Sequence, residues 1–512
     1  MDNVEYLLLL LIAAAVLVRL ADAIHVPYPI VLVLGGLGIA LAPGLPDIVL
    51  PPDAIFLLFL PPLVHAAGWS TSPQELRAVV RPLAELSVVL VLVTAAAVAV
   101  VAHALVPGVG WAPAFVLGAV LAPTDAVAAT ATFGRLGAPD RLRLVVEGES
   151  MINDGTALVL YRIAVGVAAG GSVSAGGAVL QFIGNTAGGV LVGLAVGFAV
   201  SWIIERQTDA ALVIVITVLG AYGAYIAADR IHASGIIAAV VTGLVTGWRS
   251  PQVMDADTRL TSTSFWRVLV FGLEITLFVL LGLQLPTITH GLRDASLSVG
   301  ELIGPAAAIA AALVAVRMAF VFALRDDAGE NAAECFIAGW AGMRGAVSLA
   351  AALAIPLDVA GRPQLVFLTF AVMLLTLVGQ GLTLPLLLRK LRLPDTRPWS
   401  DEEAAARMEA AQAALDRLDE LEEEAELSES QLTRLRDIYR TRFRVCVAVL
   451  GGENPGAAQR EQRVVDYSRR RRELIGVERD TLLELRSAGR LSNRALRQIQ
   501  RDLDLEEARL RV

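Results

Sequence analysis

Apolar residues fill stretch after stretch of the first four-fifths of the chain, and most stretches are long enough for one membrane-spanning helix. A bilayer core about 30 Å thick needs about 20 apolar residues per helix. The pattern predicts thirteen transmembrane helices, the second of them short. The predicted windows are residues 5–24, 28–42, 53–69, 82–106, 111–133, 146–169, 178–203, 210–228, 233–248, 266–286, 300–324, 332–355 and 364–388.

After residue 400 the pattern becomes charged and amphipathic. Apolar residues such as Leu415, Leu418 and Leu421 recur at three-residue spacing, which is typical of a helix with one apolar face. A Gly- and Pro-rich break at 451–456 separates two helical stretches. The heptads are too irregular for a long coiled coil, so we expect a helical hairpin packed on itself or on a neighbour. The predicted organisation is a transmembrane domain at 1–395 and a helical tail at 396–512.

The composition agrees with this division. The 512 residues are 56% hydrophobic with a mean hydropathy of +0.64. Roughly 12% of the residues are charged up to residue 400 and roughly 40% after it. The net charge of −8 and the lack of a basic domain argue against a nucleic-acid partner. Cys335 and Cys446 form neither a disulfide framework nor a metal-binding pattern, and we expect no cofactor.

The distribution of Arg and Lys predicts the orientation in the membrane. The loops after windows three, five, nine and thirteen hold most of the positive charge between windows, and the alternate loops hold little. By the positive-inside rule, the N-terminus is outside and the tail is cytoplasmic in a multi-pass protein of the cell membrane. The residues before the first apolar run include Asp2 and Glu5, whereas a signal peptide begins with basic residues, so we expect a retained first helix.

Polar residues inside apolar windows are functional candidates because burying them in a membrane is unfavourable. The fifth window places Pro123 and Thr124 next to Asp125. Proline removes a backbone hydrogen bond and frees a carbonyl, which beside a carboxylate makes an oxygen-rich place suited to a cation. The alternative is a plain proline kink with a pore-facing aspartate.

The sixth window carries a second group of oxygen ligands. On a helix, Ser150, Asn153 and Asp154 project from one face, and Glu149 neighbours Asn153. Hydroxyl, carbonyl and carboxylate oxygens are the ligands that hard cations such as Na⁺ prefer. A solvated helix N-terminus is the alternative for Glu147 and Glu149. Asp154 lies a full turn deeper, so that alternative does not extend to it.

The twelfth window has an arginine near its middle, Arg344, between Gly342 and Gly345. A buried guanidinium needs a carboxylate partner. The candidates are Glu149 first and Asp125 second, with snorkelling to the membrane surface as the alternative.

Windows five and twelve, both interrupted by Gly or Pro, are an odd number of helices apart. Repeats related by such an offset are inverted in the membrane, and paired interrupted helices in inverted halves are typical of secondary transporters with a site near the membrane midplane. The pattern therefore favours a transporter over a channel.

At this point the sequence resembles bacterial sodium/proton antiporters of the NhaP type, relatives of the eukaryotic sodium/proton exchangers in the cation/proton antiporter superfamily. The resemblance covers about residues 1–395. It rests on Phe59-Leu60-Pro61-Pro62-Leu63, Pro123-Thr124-Asp125, Glu149-Ser150-Met151-Ile152-Asn153-Asp154, Gly282-Leu283-Gln284-Leu285-Pro286 and Gly342-Met343-Arg344-Gly345.

The resemblance implies a homodimer in which a core bundle moves against a dimerisation domain, exchanging Na⁺ or Li⁺ for H⁺ in pH homeostasis. It implies that Asp154 binds either the cation or the proton. Thr124, Asp125 and Ser150 would be further ligands of the transported Na⁺ or scaffold its site.

The remaining motif residues are implied to be structural. Asn153 would support the site, and a Glu149–Arg344 ion pair would tie the core helices together. An Asn before the Asp, in place of a second Asp, is similar to the electroneutral branch of the superfamily and implies one cation per proton.

The sequence departs from that pattern in the tenth window, where it has Trp266-Arg267 and Glu274 in place of the Trp-Glu and later Asn of many relatives. This departure bears on the dimer-side contacts and on ion preference. K⁺/H⁺ exchange is the alternative within transport. A channel, or a membrane sensor with a signalling tail, is the alternative from another class, although neither a charged selectivity ring nor a nucleotide-binding or protease motif is visible.

Overall fold

A computed structural model of the protein consists of helices, turns and loops, with no strand among the residues that it describes. The all-α prediction is confirmed for these residues. The described residues form two compact units, Met1–Pro394 and Asp395–Val512. They are residues 3–41, 52–78, 80–171, 174–294, 298–324, 331–391, 393, 401–423, 428–450, 455–487, 490, 496, 499–500, 503–504 and 506–507.

Every apolar window of the first unit contains a helix, and windows five and twelve each contain two helices separated by several non-helical residues. The first half has α1 (Asn3–Ala23), α2 (Tyr28–Ala40), α3 (Pro52–Ser70), α4 (Pro73–Ala78), α5 (Val80–Ala84), a π-helical segment (Glu85–Val89), α6 (Leu90–Leu105), α7 (Trp111–Leu121), α8 (Val127–Leu136) and α9 (Asp140–Ala168). The second half has α10 (Ala175–Ile204), α11 (Ala210–Arg230), α12 (Gly235–Val253), α13 (Ala256–Leu283), α14 (Leu285–Asp294), α15 (Val299–Ala323), α16 (Ala332–Trp340), α17 (Ala346–Leu353) and α18 (Arg362–Leu391).

Within the described chain, seven helical segments are long and apolar enough by themselves to cross a membrane. Three further apolar helices are shorter than a full span. The first unit is therefore a multi-pass membrane domain. The seven segments are Val80–Leu105, Arg141–Ala168, Gly176–Ile204, Ala210–Arg230, Ala256–Arg293, Val299–Ala323 and Arg362–Leu391.

Two of these helices begin well before the apolar window that predicted them. Helix α9 begins at Asp140, before residue 146, and α13 begins at Ala256, before residue 266. Their first turns are polar, so counting apolar residues misses them. The start of α13 is capped by Asp255, which accepts a 2.7 Å hydrogen bond from the Thr258 N–H, and this bond lowers the pKa of Asp255.

The helices of the first unit pack in two groups. Helices α3, α10, α11 and α12 pack together, and α13 lies against α2, α3 and α11. In the second group α7 packs on α6 and α9, while α15 contacts α6, α16 and α18. Contacts of α3 with α9 and α17, and of α2 with α8, join the groups. The interrupted helices therefore lie in the second group, beside the first.

Glycine residues allow α12 to approach its neighbours closely. A Cβ atom at Gly243 would overlap the backbone carbonyl of His65 on α3, and one at Gly247 would overlap that of Trp69. Glycines four residues apart let helix backbones come together in membranes, where dispersion contacts drive association. Helix α10 carries a second series of glycines at four-residue spacing, and these residues lie against α12: Gly189, Gly193 and Gly197.

The second unit is described by three long helices, α19 (Asp401–Glu423), α20 (Glu429–Leu450) and α21 (Pro455–Ser487). Helices α19 and α20 pack against each other. Ala404, Ala411 and Leu418 are buried at seven-residue spacing on α19. Arg436 on α20 pairs with Asp419 and lies 2.5 Å from Glu422 on α19, which lowers the pKa of Glu422. These two helices form a hairpin that lies entirely before the Gly- and Pro-rich break at 451–456, where the sequence pattern had placed the boundary between its two helical stretches.

Replacing Gly243 by alanine tests the close packing of α3 and α12. The added methyl group would meet the His65 carbonyl, so we expect the free energy of unfolding to fall by about 1–3 kcal/mol. Thermal unfolding in detergent measures the change. Gly223→Ala is the matched control, because nothing lies near its Cβ position and alanine favours a helix. Equal melting temperatures for the two variants would contradict the packing argument.

Candidate functional site

A cavity of about 660 Å³ lies between the two groups of helices in the first unit. One wall comes from α3 and α13, and the facing wall from α9, α17 and the segment that joins α7 to α8. Acidic and hydroxyl side chains from several of these elements line the cavity. The four residues expected to bind the transported ion all line it: Thr124, Asp125, Ser150 and Asp154.

The chain leaves helical geometry twice beside this cavity, between α7 and α8 and between α16 and α17. Pro123 has no N–H group and so cannot continue the α7 hydrogen-bond series. The two non-helical segments touch, because the Asp125 N–H donates a 2.8 Å hydrogen bond to the Met343 carbonyl. A Cβ atom at Gly345 would overlap the Asp125 carboxylate, so glycine is required for this approach.

Asp125 stabilises the starts of two helices. Its Oδ1 accepts a 2.8 Å hydrogen bond from the Val127 N–H at the start of α8. The same carboxylate lies against Gly345 and the backbone of Ala346 at the start of α17. Helix N-termini expose unpaired N–H groups and the positive end of the helix dipole, so a carboxylate between two of them is held firmly.

Thr124 and Ser150 connect the non-helical segment to α9. Ser150 Oγ donates to the Thr124 carbonyl at 2.9 Å and accepts from the Ala126 N–H at 3.3 Å. Thr124 Oγ1 donates to Glu149 Oε1 at 3.2 Å and accepts from Asn153 Nδ2 at 2.8 Å. A hydroxyl offers one hydrogen and two lone pairs, so each hydroxyl keeps one lone pair for a further partner.

Glu149 pairs with Arg317 of α15, and not with Arg344 as predicted. The two Arg317 Nη atoms contact the two carboxylate oxygens, with Nη2 at 2.7 Å from Oε2. Both side chains are almost completely buried, at 2% and 1% exposure. A bidentate pair of this kind satisfies both charges away from water. The ion pair therefore ties α9 to α15.

Arg344 points elsewhere because its segment is not helical. Its Nε donates a 2.9 Å hydrogen bond to the carbonyl of Leu121, the last residue of α7, and its Nη1 contacts the Gly342 carbonyl. The carbonyls at a helix C-terminus have no partner within the helix, and the dipole there favours positive charge. Arg344 thus caps the C-terminus of α7, in the way that Arg317 caps α16 through the Ala338 carbonyl, at 3.0 Å from Nη2.

Asp154 differs from the other acids of the site. It lines the cavity, and among the described residues no side chain or backbone N–H donates a hydrogen bond to it. The charged residue that acts on it electrostatically is Asp125, which carries the same sign. Asn153 packs behind it, with its Oδ1 buried and unpartnered within the described part of the chain. Asp154 is therefore the carboxylate most available to a cation or a proton.

Sequence reasoning missed Arg317, although a signal was present. It is the single basic residue of the eleventh window, two turns inside the end of α15. Gly342, expected only to interrupt the helix, also makes room for this arginine, since a Cβ atom there would overlap the Arg317 side chain.

The chain matches the family described as "Sodium/hydrogen exchanger, transmembrane" over residues 7–390. An uncharacterised Na⁺/H⁺ exchanger of Mycobacterium tuberculosis is 33% identical, over 99% of this chain and 97% of the relative. The Na⁺/H⁺ antiporter ApNhaP of Aphanothece halophytica is 30% identical, over 81% of this chain and 80% of the relative.

The fold resembles a solved structure as well. The sodium proton antiporter MjNhaP1 of Methanocaldococcus jannaschii, solved at pH 8, aligns with a TM-score of 0.61 at 19% identity. The alignment covers 76% of this chain and 98% of that one. At this level of identity, the similarity concerns the arrangement of helices.

The buried Glu149–Arg317 pair can be tested by removing the arginine. Arg317→Met leaves a buried carboxylate without its partner, and we expect the free energy of unfolding to fall by about 3–5 kcal/mol. Adding Glu149→Gln should recover much of that loss. Thermal unfolding of the single and double variants measures both effects.

Arg162→Met is the control, because it removes an arginine whose partner Asp229 is half exposed. Surface pairs contribute at most about 1 kcal/mol. A loss for Arg317→Met no larger than that of the control would refute the proposed importance of the buried pair.

Proposed function

Because this chain belongs to the transmembrane sodium/hydrogen exchanger family, we propose that it exchanges Na⁺ for H⁺ across the cell membrane at the carboxylate of Asp154. The family resemblance predicted from the motifs is confirmed by the match over residues 7–390. Secondary transporters of this kind move ions without enzymatic chemistry, so we expect no catalytic residues.

The single observation that carries the assignment of Asp154 is its position on the cavity wall without a hydrogen-bond donor among the described residues. A carboxylate in such a place is stabilised either by a cation or by a proton. One carboxylate cannot hold both, so the two ions compete for it. Exchange follows if Asp154 moves between the two sides of the membrane only when one of them is bound.

Thr124, Ser150 and Asp125 complete the proposed cation site. The first two keep one hydroxyl lone pair each, and a hard cation such as Na⁺ prefers oxygen ligands. Asp125 is held between two helix starts, so its charge draws a cation toward Asp154 while its position stays fixed. Asn153 and the Glu149–Arg317 pair hold this set in place from behind.

The packing suggests which parts move. The site residues lie in the group that contains the interrupted helices, and the facing wall of α3 and α13 belongs to the other group. We propose that the group with the interrupted helices is a core. This core moves against the group that contains α3 and α13, and the latter group holds a homodimer together. Thirteen membrane crossings with inverted repeats, an outside N-terminus and a cytoplasmic, regulatory helical tail complete the proposed architecture.

Na⁺ is favoured over K⁺ as the cation. Several relatives are named as Na⁺/H⁺ antiporters, among them ApNhaP of Aphanothece halophytica and NhaH of Halobacillus dabanensis. The channel and sensor alternatives are disfavoured by the same family membership. An Asn at position 153, immediately before Asp154, leaves one acid at this point of α9, which supports exchange of one cation for one proton.

Replacing Asp154 by asparagine tests the proposed exchange. The amide keeps the size of the side chain but neither binds a proton near neutral pH nor supplies a negative charge, so we expect Na⁺-driven dissipation of a pH gradient to disappear. Proteoliposomes with a preset pH gradient, tested with Na⁺, Li⁺ and K⁺ in turn, give the measurement. Asp358→Asn, an exposed aspartate away from the cavity, is the matched control.

The same proteoliposomes test the stoichiometry. One-for-one exchange moves no net charge, so clamping the membrane potential should leave the wild-type rate unchanged. Normal exchange by Asp154→Asn would disprove the role of Asp154, and a rate that follows the clamped potential would disprove the electroneutral mechanism.

A further inference from the structure

The cavity wall that faces Asp154 carries one acidic residue, Glu274 of α13. Its Oε2 accepts a 2.7 Å hydrogen bond from the hydroxyl of Tyr28, the first residue of α2. The Tyr28 ring in turn packs edge-on against Phe271, one turn earlier on α13, with 5.7 Å between the ring centroids. A hydrogen bond from α2 therefore holds the Glu274 carboxylate at this wall, and a ring contact with α13 holds the tyrosine that donates it.

The surroundings of Glu274 leave its charge unbalanced. No arginine, lysine or histidine of the described chain lies within ion-pair distance of it. Glu274 is close enough to Asp125, on the facing wall, for the two carboxylates to influence each other electrostatically. Its other neighbours along the α13 wall are largely apolar, among them Phe271, Leu277 and Phe278. Such surroundings screen a charge less than bulk water does.

The remaining charged groups of the cavity lie away from Glu274. Arg267 projects from the same helix two turns before it and is exposed. Arg143 and Glu147, at the start of α9, pair with each other at 3.0 Å and so largely cancel. The charges that act inside the cavity are thus those of Asp125, Asp154 and Glu274, with Arg267 opposing them from two turns away.

We propose that Glu274 sets the cation affinity of the transport site from the facing wall, with Tyr28 as its positioning residue. This inference rests on the proposed exchange at Asp154. Glu274 does not ligate the cation in this arrangement. Its negative charge raises the affinity of Asp154 for a bound cation through the field in the cavity, and Arg267 lowers that affinity in the same way.

The expected size of the effect follows from Coulomb's law. For a unit charge that acts over a distance on the order of 10 Å, an effective dielectric constant of about 40, between about 20 for protein sites and about 80 for water, gives a change in ion binding of about four- to fivefold. The field acts on the charge of the ion and not on its radius. Na⁺ and Li⁺ should therefore respond to a change at Glu274 by the same factor, which a direct ligand would not produce.

The experiment measures the apparent KM for Na⁺ and for Li⁺ of Glu274→Gln in proteoliposomes at alkaline pH, where the proton competes least. The amide keeps the shape of the side chain and its contact with Tyr28, so we expect KM to rise about four- to fivefold for both ions with little change in maximal rate. Arg267→Gln should lower KM by a smaller factor, because water screens an exposed charge. Tyr28→Phe, which keeps the charge but removes the donor that fixes it, should raise KM less than Glu274→Gln.

Glu301→Gln is the matched control, since Glu301 is exposed on α15 and does not line the cavity. Its KM should equal that of the wild type. An unchanged KM for Glu274→Gln, or a change in the same direction for Arg267→Gln, would overturn the inference while leaving exchange at Asp154 intact. Unequal factors for Na⁺ and Li⁺ would overturn it in favour of direct ligation. A wild-type protein that exchanges no Na⁺ would overturn the proposed function, and with it this inference.

Discussion

The polar backbone groups of two interrupted helices must find partners inside a membrane domain, and much of the site follows from how they do so. Water is absent from the bilayer core, so a carbonyl or N–H group left over where a helix breaks has to bond to the protein. Here arginine side chains take up the free carbonyls and a carboxylate lies at the free N–H groups. Arg344 bonds to Leu121 at the end of α7, and Asp125 bonds to Val127 at the start of α8.

This arrangement brings charges into the interior, and each charge then requires its own partner. Arg317 lies against both the Ala338 carbonyl and Glu149, so one side chain satisfies a helix end and a buried acid together. Thr124 joins Glu149 to Asn153 by hydrogen bonds. The network leaves Asp154 as the carboxylate without such a partner among the described residues. The same network therefore supports the site and leaves Asp154 available to an ion.

The facing wall adds a second electrostatic influence. This wall belongs to the group of helices in which glycine residues of α10 and α12 let the backbones approach closely. In the proposed mechanism, a core that moves against this wall would carry Asp154 past the charges of Glu274 and Arg267. This wall includes Trp266, Arg267 and Glu274, where the tenth window was expected to depart from the family pattern. Under the proposal for Glu274, ion affinity can therefore change at this wall without any change in the ion ligands.

The sequence by itself determined the helical class, the position of nearly every helix of the first unit, the family and the group of residues at the cavity. Those features depend on apolar length, on helical spacing such as that of Ser150 and Asp154, and on short local motifs, all of which are properties of neighbouring residues. Only the tertiary structure decided the partner of Glu149. The choice between Arg317 and Arg344 depends on where a non-helical segment directs a side chain and on which helix packs beside α9. The bond between Tyr28 and Glu274 is of the same kind, because it joins residues 246 positions apart whose proximity comes from the packing of α2 on α13.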